Sequence, residues 1–368
     1  MKKRSRPGPA KMADIAKLAG VSASTVSRAL AGSPLVAKRQ RDAILRLALE
    51  RGYVVNPTAR NLRLQRTETL SVVIPLGHQA DQPLTDPFFA EMLGHLADQI
   101  TQRGYGMFLR KVLPPMDGWL ARLIASGRSD GIIVIGQSTE HEALEAAAAS
   151  YRPLVVWGGH LEHQSYCTVG TDNVGGALAA VDHLLSTGRR QVVFLGDLCG
   201  PEFSLRYSGY RLALERAGLE PQHVVPAQLT ADATFDAMHA LIATRRRFDA
   251  VFAASDVSAI SAIRAITAAG LRVPEDVAVV GFDDVAFAKH TNPPLTTVRQ
   301  DLEGGARLLV ELAFRRIAGE DTPSVKMPAR LIVRESSGSP AQAAPDRSGG
   351  RDRRPPAGPG RDVAESGA

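Results

Sequence analysis

Residues 22–28 read Ser-Ala-Ser-Thr-Val-Ser-Arg. Small hydroxyl side chains beside a single guanidinium suit a helix pressed into a DNA major groove, because bulkier groups would hold the helix away from the base edges. Ala23, Ser24, Ser27 and Arg28 fall on the outward face of such a helix, with Val26 and Leu30 turned in. A second unusual group is Ala59 and Leu62 set among Arg60, Arg63 and Arg66. An apolar pair among arginines makes sense as a wedge entering the minor groove, where leucine can be pushed between base steps. A linker whose Leu62 packs on its own domain is the competing reading. Three other patterns carry less. Gly127-Arg128-Ser129-Asp130-Gly131 has the spacing of a nucleophile elbow, but that elbow needs a strand before the serine and a helix after it. Here a helical stretch, WLARLIAS, precedes and the strand-like GIIVIG follows. His160 and His163 have metal-ligand spacing without a helix pattern or further ligands nearby, so loop histidines are expected and no metal or other cofactor is assigned. Neither a P-loop nor a G-x-G-x-x-G occurs, which leaves nucleotide chemistry without support.

These groups need elements to hold them. Met12–Gly20 (MADIAKLAG) puts Ile15, Ala16 and Ala19 on one helical face and stops at glycine. Ser22 is a good N-cap for a second helix over 23–30. A third helix over 37–51 supplies Ile44, Leu47 and Ala48 to a small core and sets Lys38, Arg39 and Arg41 against phosphates. Helix, glycine-containing turn and helix form the helix-turn-helix pattern; an ordinary three-helix knot is the alternative. Asn56-Pro57 then caps a stretch, 58–63, that is too short to be a stable helix alone in water.

The rest of the chain repeats one theme. Residues 70–75, 131–135, 153–157, 192–196, 249–254 and 277–282 are short continuous apolar runs, as strands covered on both faces of a parallel sheet require. Helical patterns over 89–103, 119–126, 175–186, 208–217, 235–244 and 258–269 lie between them. The expected fold class is therefore α/β: a small all-α head on a body of two doubly wound parallel-sheet subdomains, with a small-molecule cleft between the halves. The expected layout is a disordered basic arm (1–10), the head (11–55), a hinge or linker (56–67), and a body (68–338) with crossovers near 163–170 and 290–300. A disordered tail (339–368) without leucine, isoleucine, phenylalanine or methionine completes it.

Charge divides the same way. Residues 1–66 hold 15 Lys and Arg against Asp14, Asp42 and Glu50, a net of +12, while the other 302 residues sum to −6, within a total of +6. A basic head on an acidic body points to a polyanion as the partner of the head, most simply nucleic acid, with a solvated basic arm as the plain alternative. The 368 residues allow two or three domains. No apolar run of membrane-spanning length occurs, and no apolar segment follows the basic start before Gly20, so neither a membrane partner nor secretion is expected. Cys167 and Cys199 cannot build a disulfide framework, and a cytoplasmic location fits them.

ADIAKLAGVSASTVSRAL followed by NPTARNLR resembles the start of LacI/GalR-family bacterial transcription regulators. The likeness runs through DPFFAEM (86–92), SDGII (129–133), TDNVGGALAAVDHL (171–184), RYSGYRLALERAGL (206–219), 254–284 and PPLTTVRQD (293–301). It implies a homodimer on a near-palindromic double-stranded operator, a small-molecule effector that is commonly a sugar, and a periplasmic-binding-protein-like body without enzyme activity. By that likeness Ala23, Ser24 and Arg28 read bases, Thr25 and Ser27 touch phosphate or bases beside the cap Ser22, and Leu62 with Ala59 enters the minor groove. In the cleft it implies hydrogen bonds from Arg206 and Asp283, stacking on Phe88, Phe89 and Phe235, and a lesser role for Gln300. Two positions depart from the family wording. Ser255 stands where sugar-binding relatives often carry asparagine, and Trp157-Gly158-Gly159-His160 is unusual, with Trp157 either a stacking face or a core residue. A sugar-binding protein without DNA, or a sugar-metabolising enzyme on the same body, is the rival. The tail offers no leucine heptads, so assembly is expected to stop at a dimer.

Overall fold

The computed structural model describes residues 11–30, 32–53, 66–77, 81–113, 117–221 and 223–338. The arm, the hinge stretch carrying Ala59 and Leu62, and the tail lie outside the described residues. The head is three helices, α1 (Met12–Ala19), α2 (Ala23–Leu30) and α3 (Lys38–Glu50). Ile15, Ala16, Val26, Ala29, Val36 and Ile44 form its core, with Ala19, Leu30 and Leu47 packed at the margin. These are the apolar faces that helical spacing sets inward.

The body holds two six-stranded sheets. The first takes β1 (Thr69–Pro75), β2 (Gly106–Val112), β3 (Gly131–Ile135), β4 (Leu154–Trp157), β5 (Cys167–Thr171) and β11 (Val325–Met327), in the order β11-β5-β4-β3-β1-β2. The second takes β6 (Val192–Leu195), β7 (His223–Val225), β8 (Ala250–Ala253), β9 (Ala278–Asp283), β10 (Thr296–Arg299) and β12 (Arg330–Ile332), in the order β12-β10-β9-β8-β6-β7. All pairings are parallel except β10 with β12. Parallel strands need crossover connections, and helices supply most of them. In chain order these are α4 (Pro87–Gln102), α5 (Trp119–Ala125), α6 (His141–Ala148), α7 (Asn173–Ser186), α8 (Pro201–Arg216), α9 (Ala231–Ala243), α10 (Asp256–Ala268) and α11 (Leu302–Ile317).

Strand alternation explains why the runs are apolar throughout. Val72 and Ile74 point into one core with Met92 and Leu96 of α4 and Leu309 and Val310 of α11. Val73, between them, joins Trp119, Leu123 and Leu144 of α5 and α6 on the opposite face. The second sheet does the same, with Val193 and Val251 facing α9 and α10, and Phe194 and Phe252 facing α7 and α8. A strand covered on both faces has no solvent side on which to place polar residues.

The chain passes between the sheets three times: after Thr171, after Arg299, and between Met327 and Arg330. The sequence reading expects passes near 163–170 and near 290–300 and does not foresee the third. Gly170, beside the first pass, is packed so tightly that a Cβ there would collide with the carbonyl oxygen of Gly158, a backbone atom that cannot swing aside. Gly170→Ala is therefore expected to destabilise the body by about 1–3 kcal/mol, the usual cost of overpacking. A urea-unfolding midpoint equal to wild type would contradict this packing. Among the described residues no helix is long and apolar enough to cross a membrane.

Candidate functional sites

In the head, Gly20 takes a left-handed conformation (φ 64°) that ends α1, and the Val21 N–H donates to the Ala16 carbonyl at 3.0 Å. Ser22 then caps α2: its Oγ accepts from the Thr25 N–H at 3.2 Å and lies 2.8 Å from Ser24 Oγ and 2.9 Å from Thr25 Oγ1. With Val26 and Ala29 buried, Ser22, Ala23, Ser24 and Arg28 are exposed, and Thr25 and Ser27 sit at the margin. Ser22 and the five residues assigned to base or phosphate contact are thus all at least partly exposed at the start of α2. Arg41, at the start of α3, reaches back to the Gly32 carbonyl at 3.3 Å, which tethers the turn after α2.

The second site lies between the two sheets, outside the carboxyl ends of the strands, where open α/β sheets bind ligands. It is a cavity of about 710 Å³ with its mouth included. The first sheet contributes Ile135, Trp157 and Thr171, and the turn into α4 contributes Asp86, Phe88 and Phe89. The second contributes Glu202, Phe203 and Arg206 of α8, with Ser255, Asp283 and Gln300.

Arg206 is the anchor. It is 5% exposed. Its Nε donates to Asn173 Oδ1 at 2.9 Å, and Nη1 donates to the Ala254 carbonyl at 2.5 Å and stands 3.8 Å from Asp283 Oδ1. Its guanidinium carbon lies 3.8 Å from the Phe282 ring centroid. These contacts hold the guanidinium in place in the cavity wall. Asp283 accepts from Gln300 Nε2 at 2.7 Å. Burial pushes the Asp283 carboxyl well above the usual carboxylate range; Arg206 and Gln300 pull it back and nearby Asp256 pushes it further up. Both Asp283 and Asp284 have positive φ (130° and 57°), a conformation held by Arg334 Nη2 and Arg299 Nε, each 2.6 Å from a carboxylate oxygen of Asp284. Two strained residues in succession at a cleft are the kind of backbone cost that binding sites carry.

Phe88 and Phe89 meet edge to face with centroids 5.5 Å apart, Phe88 half-buried and turned to the cavity. Trp157 is both things the sequence leaves open: it lines the cavity and is a core residue, its ring packed so closely on Gly305 that a Cβ there would collide with it. Ser255 caps α10, accepting from the Ser258 N–H at 3.2 Å. Phe235 is a correction. It lies on α9, its ring stacked on His239 with the Arg264 guanidinium 4.5 Å from its centroid, and it packs against the outer core of the second sheet. It does not line the cavity. The sequence reading misses Asp86, Asn173 and Glu202, although two of them sit in stretches it singles out, DPFFAEM and TDNVGG.

The remaining motifs have structural employment. Ser129 accepts from Ser71 Oγ at 2.8 Å, and Asp130 accepts from the backbone N–H groups of Thr67 and Glu68 at 2.6 and 3.1 Å, so the G-x-S-x-G turn straps the start of β1. Among the described residues no group of three or more His, Cys, Asp or Glu side chains is placed to hold a metal.

A helix-turn-helix head joined to a two-lobed body with a buried Arg–Asp cleft defines a DNA-binding regulator controlled by a small molecule. Residues 11–56 match bacterial regulatory proteins of the lacI family, and residues 181–337 match the periplasmic binding protein-like domain. The HTH-type transcriptional regulator CelR of Thermobifida fusca is 34% identical over 91% of this chain and 100% of its own. The repressor PurR of Haemophilus influenzae is 27% identical over 88% of this chain and 97% of its own. Among solved structures, a CelR–cellobiose complex superposes with a TM-score of 0.65 over 90% of this chain and 100% of that one, at 34% identity. A lac repressor dimer bound to operator gives 0.80 over 90% and 100%, at 24% identity, a likeness of fold. The chain belongs to the lacI family of bacterial regulatory proteins.

Proposed function

We propose that this protein is a homodimeric repressor whose affinity for a near-palindromic operator is set by a sugar or sugar derivative bound between the lobes of the body. The observation that carries the effector half is the buried Arg206 guanidinium beside Asp283 in one cavity wall with Phe88 and Trp157. Polyols offer hydroxyl pairs to such groups, and their C–H faces stack on rings. The similar CelR is solved with cellobiose, which makes a glucose disaccharide the first candidate to try. For the DNA half, Ala23, Ser24 and Arg28 read bases, and Thr25 and Ser27 meet phosphate or bases, on the helix that Ser22 caps. Ala59 and Leu62 are the proposed minor-groove wedge. Two heads related by a two-fold axis read inverted half-sites.

The test is a thermal-shift screen of sugars on the full chain, with each hit retested for its effect on operator binding across a salt series. A sugar that raises the melting temperature and changes operator affinity is expected, since a ligand selective for the folded state stabilises it by mass action. Operator binding should fall steeply with salt as phosphate contacts release counterions. A hit that stabilises the body and leaves operator affinity untouched would sink the regulatory reading.

A further inference from the structure

The wall of the cavity carries more anionic than cationic groups. Among the described residues, Asp86, Glu202 and Asp283 line it together with a single cation, Arg206. Arg206 and Asp283 face each other at 3.8 Å as a pair. Asp86 and Glu202 are then left over, one from each lobe. The Lys111 ammonium comes near this region but donates to the Gln82 carbonyl at 2.9 Å and does not line the cavity.

Where those two carboxylates sit matters as much as their number. The free N–H groups and positive end of a helix N-terminus are the ordinary receptors for a phosphate or carboxylate. Two helices begin at this cavity, one capped by an acidic side chain and the other with one in its first turn. Asp86 is the N-cap of α4, accepting from the Phe88 N–H at 3.0 Å and from Gln82 Nε2 at 3.1 Å. Glu202 stands in the first turn of α8 and accepts, across the cleft, from the Gln137 N–H at 3.0 Å. Glu202 is half-buried and lines the cavity. Burial pushes the carboxyls of Asp86, Glu202 and Asp283 all above their ordinary values. The wall therefore already resists the negative charge it has, and a further anion raises that cost.

We infer that Asp86 and Glu202 act as specificity determinants which restrict the effector to sugars without a phosphate or carboxylate group. This rests on the sugar reading of the cleft. The free hydroxyls of a neutral sugar donate to both carboxylates, whereas an anionic sugar meets them as like charges and finds the α4 N-terminus already capped by Asp86.

Matched pairs test it by calorimetry on the full chain: cellobiose against cellobionate, glucose against glucose 6-phosphate, galactose against galacturonate. The neutral member of at least one pair is expected to bind, and its anionic counterpart to bind at least about 100-fold more weakly, like charges in a partly buried site being costly. Glu202→Gln and Asp86→Asn should each narrow that gap at least about tenfold, because removing one of two like charges removes about half of the repulsion. An anionic member that binds as tightly as its neutral partner overturns the inference and leaves the sugar reading standing. A gap of wild-type size in both variants overturns the assignment to these carboxylates. A panel in which no member of any pair binds defeats the sugar reading itself, and the inference falls with it.

Discussion

Arg206→Ala is expected to abolish the response of operator binding to the effector and to lower the stability of the body, while operator affinity without effector persists. The loss is large because the residue has two duties. In the proposed function its guanidinium donates to the ligand, and a hydrogen bond to a charged group is worth about 1.5–3 kcal/mol. It is also the partner of Asp283 and the donor to Asn173 and the Ala254 carbonyl. Breaking a buried pair by removing one member costs about 3–5 kcal/mol when the charge left behind stays ionised. Asp283 has a way out, since burial already holds its carboxyl above the usual range and it can take up a proton. The stability loss should therefore fall toward the lower end of that interval at neutral pH and grow as pH rises. Effector titration by calorimetry and urea unfolding at two pH values measure both duties. An effector affinity equal to wild type would remove Arg206 from the site. A stability loss that shrinks as pH rises would contradict the protonation of Asp283.

The second large effect belongs to the head. Arg28→Ala is expected to cut operator affinity at least about 100-fold without loosening the three-helix fold. A bidentate arginine–base contact discriminates by about 1–3 kcal/mol, and a dimer makes it twice. Arg28 is exposed and lies outside the head's core, so alanine, a strong helix former, should leave α2 intact. Fluorescence anisotropy on operator and on scrambled DNA separates specific from electrostatic binding. A loss equal on both DNAs would make Arg28 a phosphate contact, and no loss on either would take it out of the interface.

How far residues alone foretell this molecule depends on burial. The three head helices and the six central strands are legible because their apolar positions face packed protein on every side that matters. Strands at or beside the sheet margins are not. Gly106–Val112 is a largely exposed edge strand carrying Arg110 and Lys111, Thr296–Arg299 next to the edge is mostly polar, and β11 and β12 are three residues each. α11 is also hidden, its Gly304-Gly305 start reading as a breaker when the second glycine makes room for Trp157. The cleft is legible only through resemblance, since its members come from turns far apart in the chain. That is also why Phe235 is misassigned: an aromatic residue packed on the outer core of the second sheet shares the chemistry of those in the cavity, and only packing tells them apart. Glu202 gives no pattern in one dimension; its meaning comes from reaching Gln137 across the gap.

The triple exchange of chain between the lobes has a consequence for how the protein is made. β5 waits for β11 and β10 for β12, so the marginal strands of both sheets are the last parts of the body to be translated. At about 5–20 residues per second, the ribosome needs roughly 8–30 s to travel from the end of β5 to the start of β11. During that interval the nascent first lobe presents an open sheet edge, the surface through which unfinished chains stick to one another. Neither lobe is a unit of biosynthesis. A message cut short between codons 300 and 324 leaves both sheets without their last strand and no finished half.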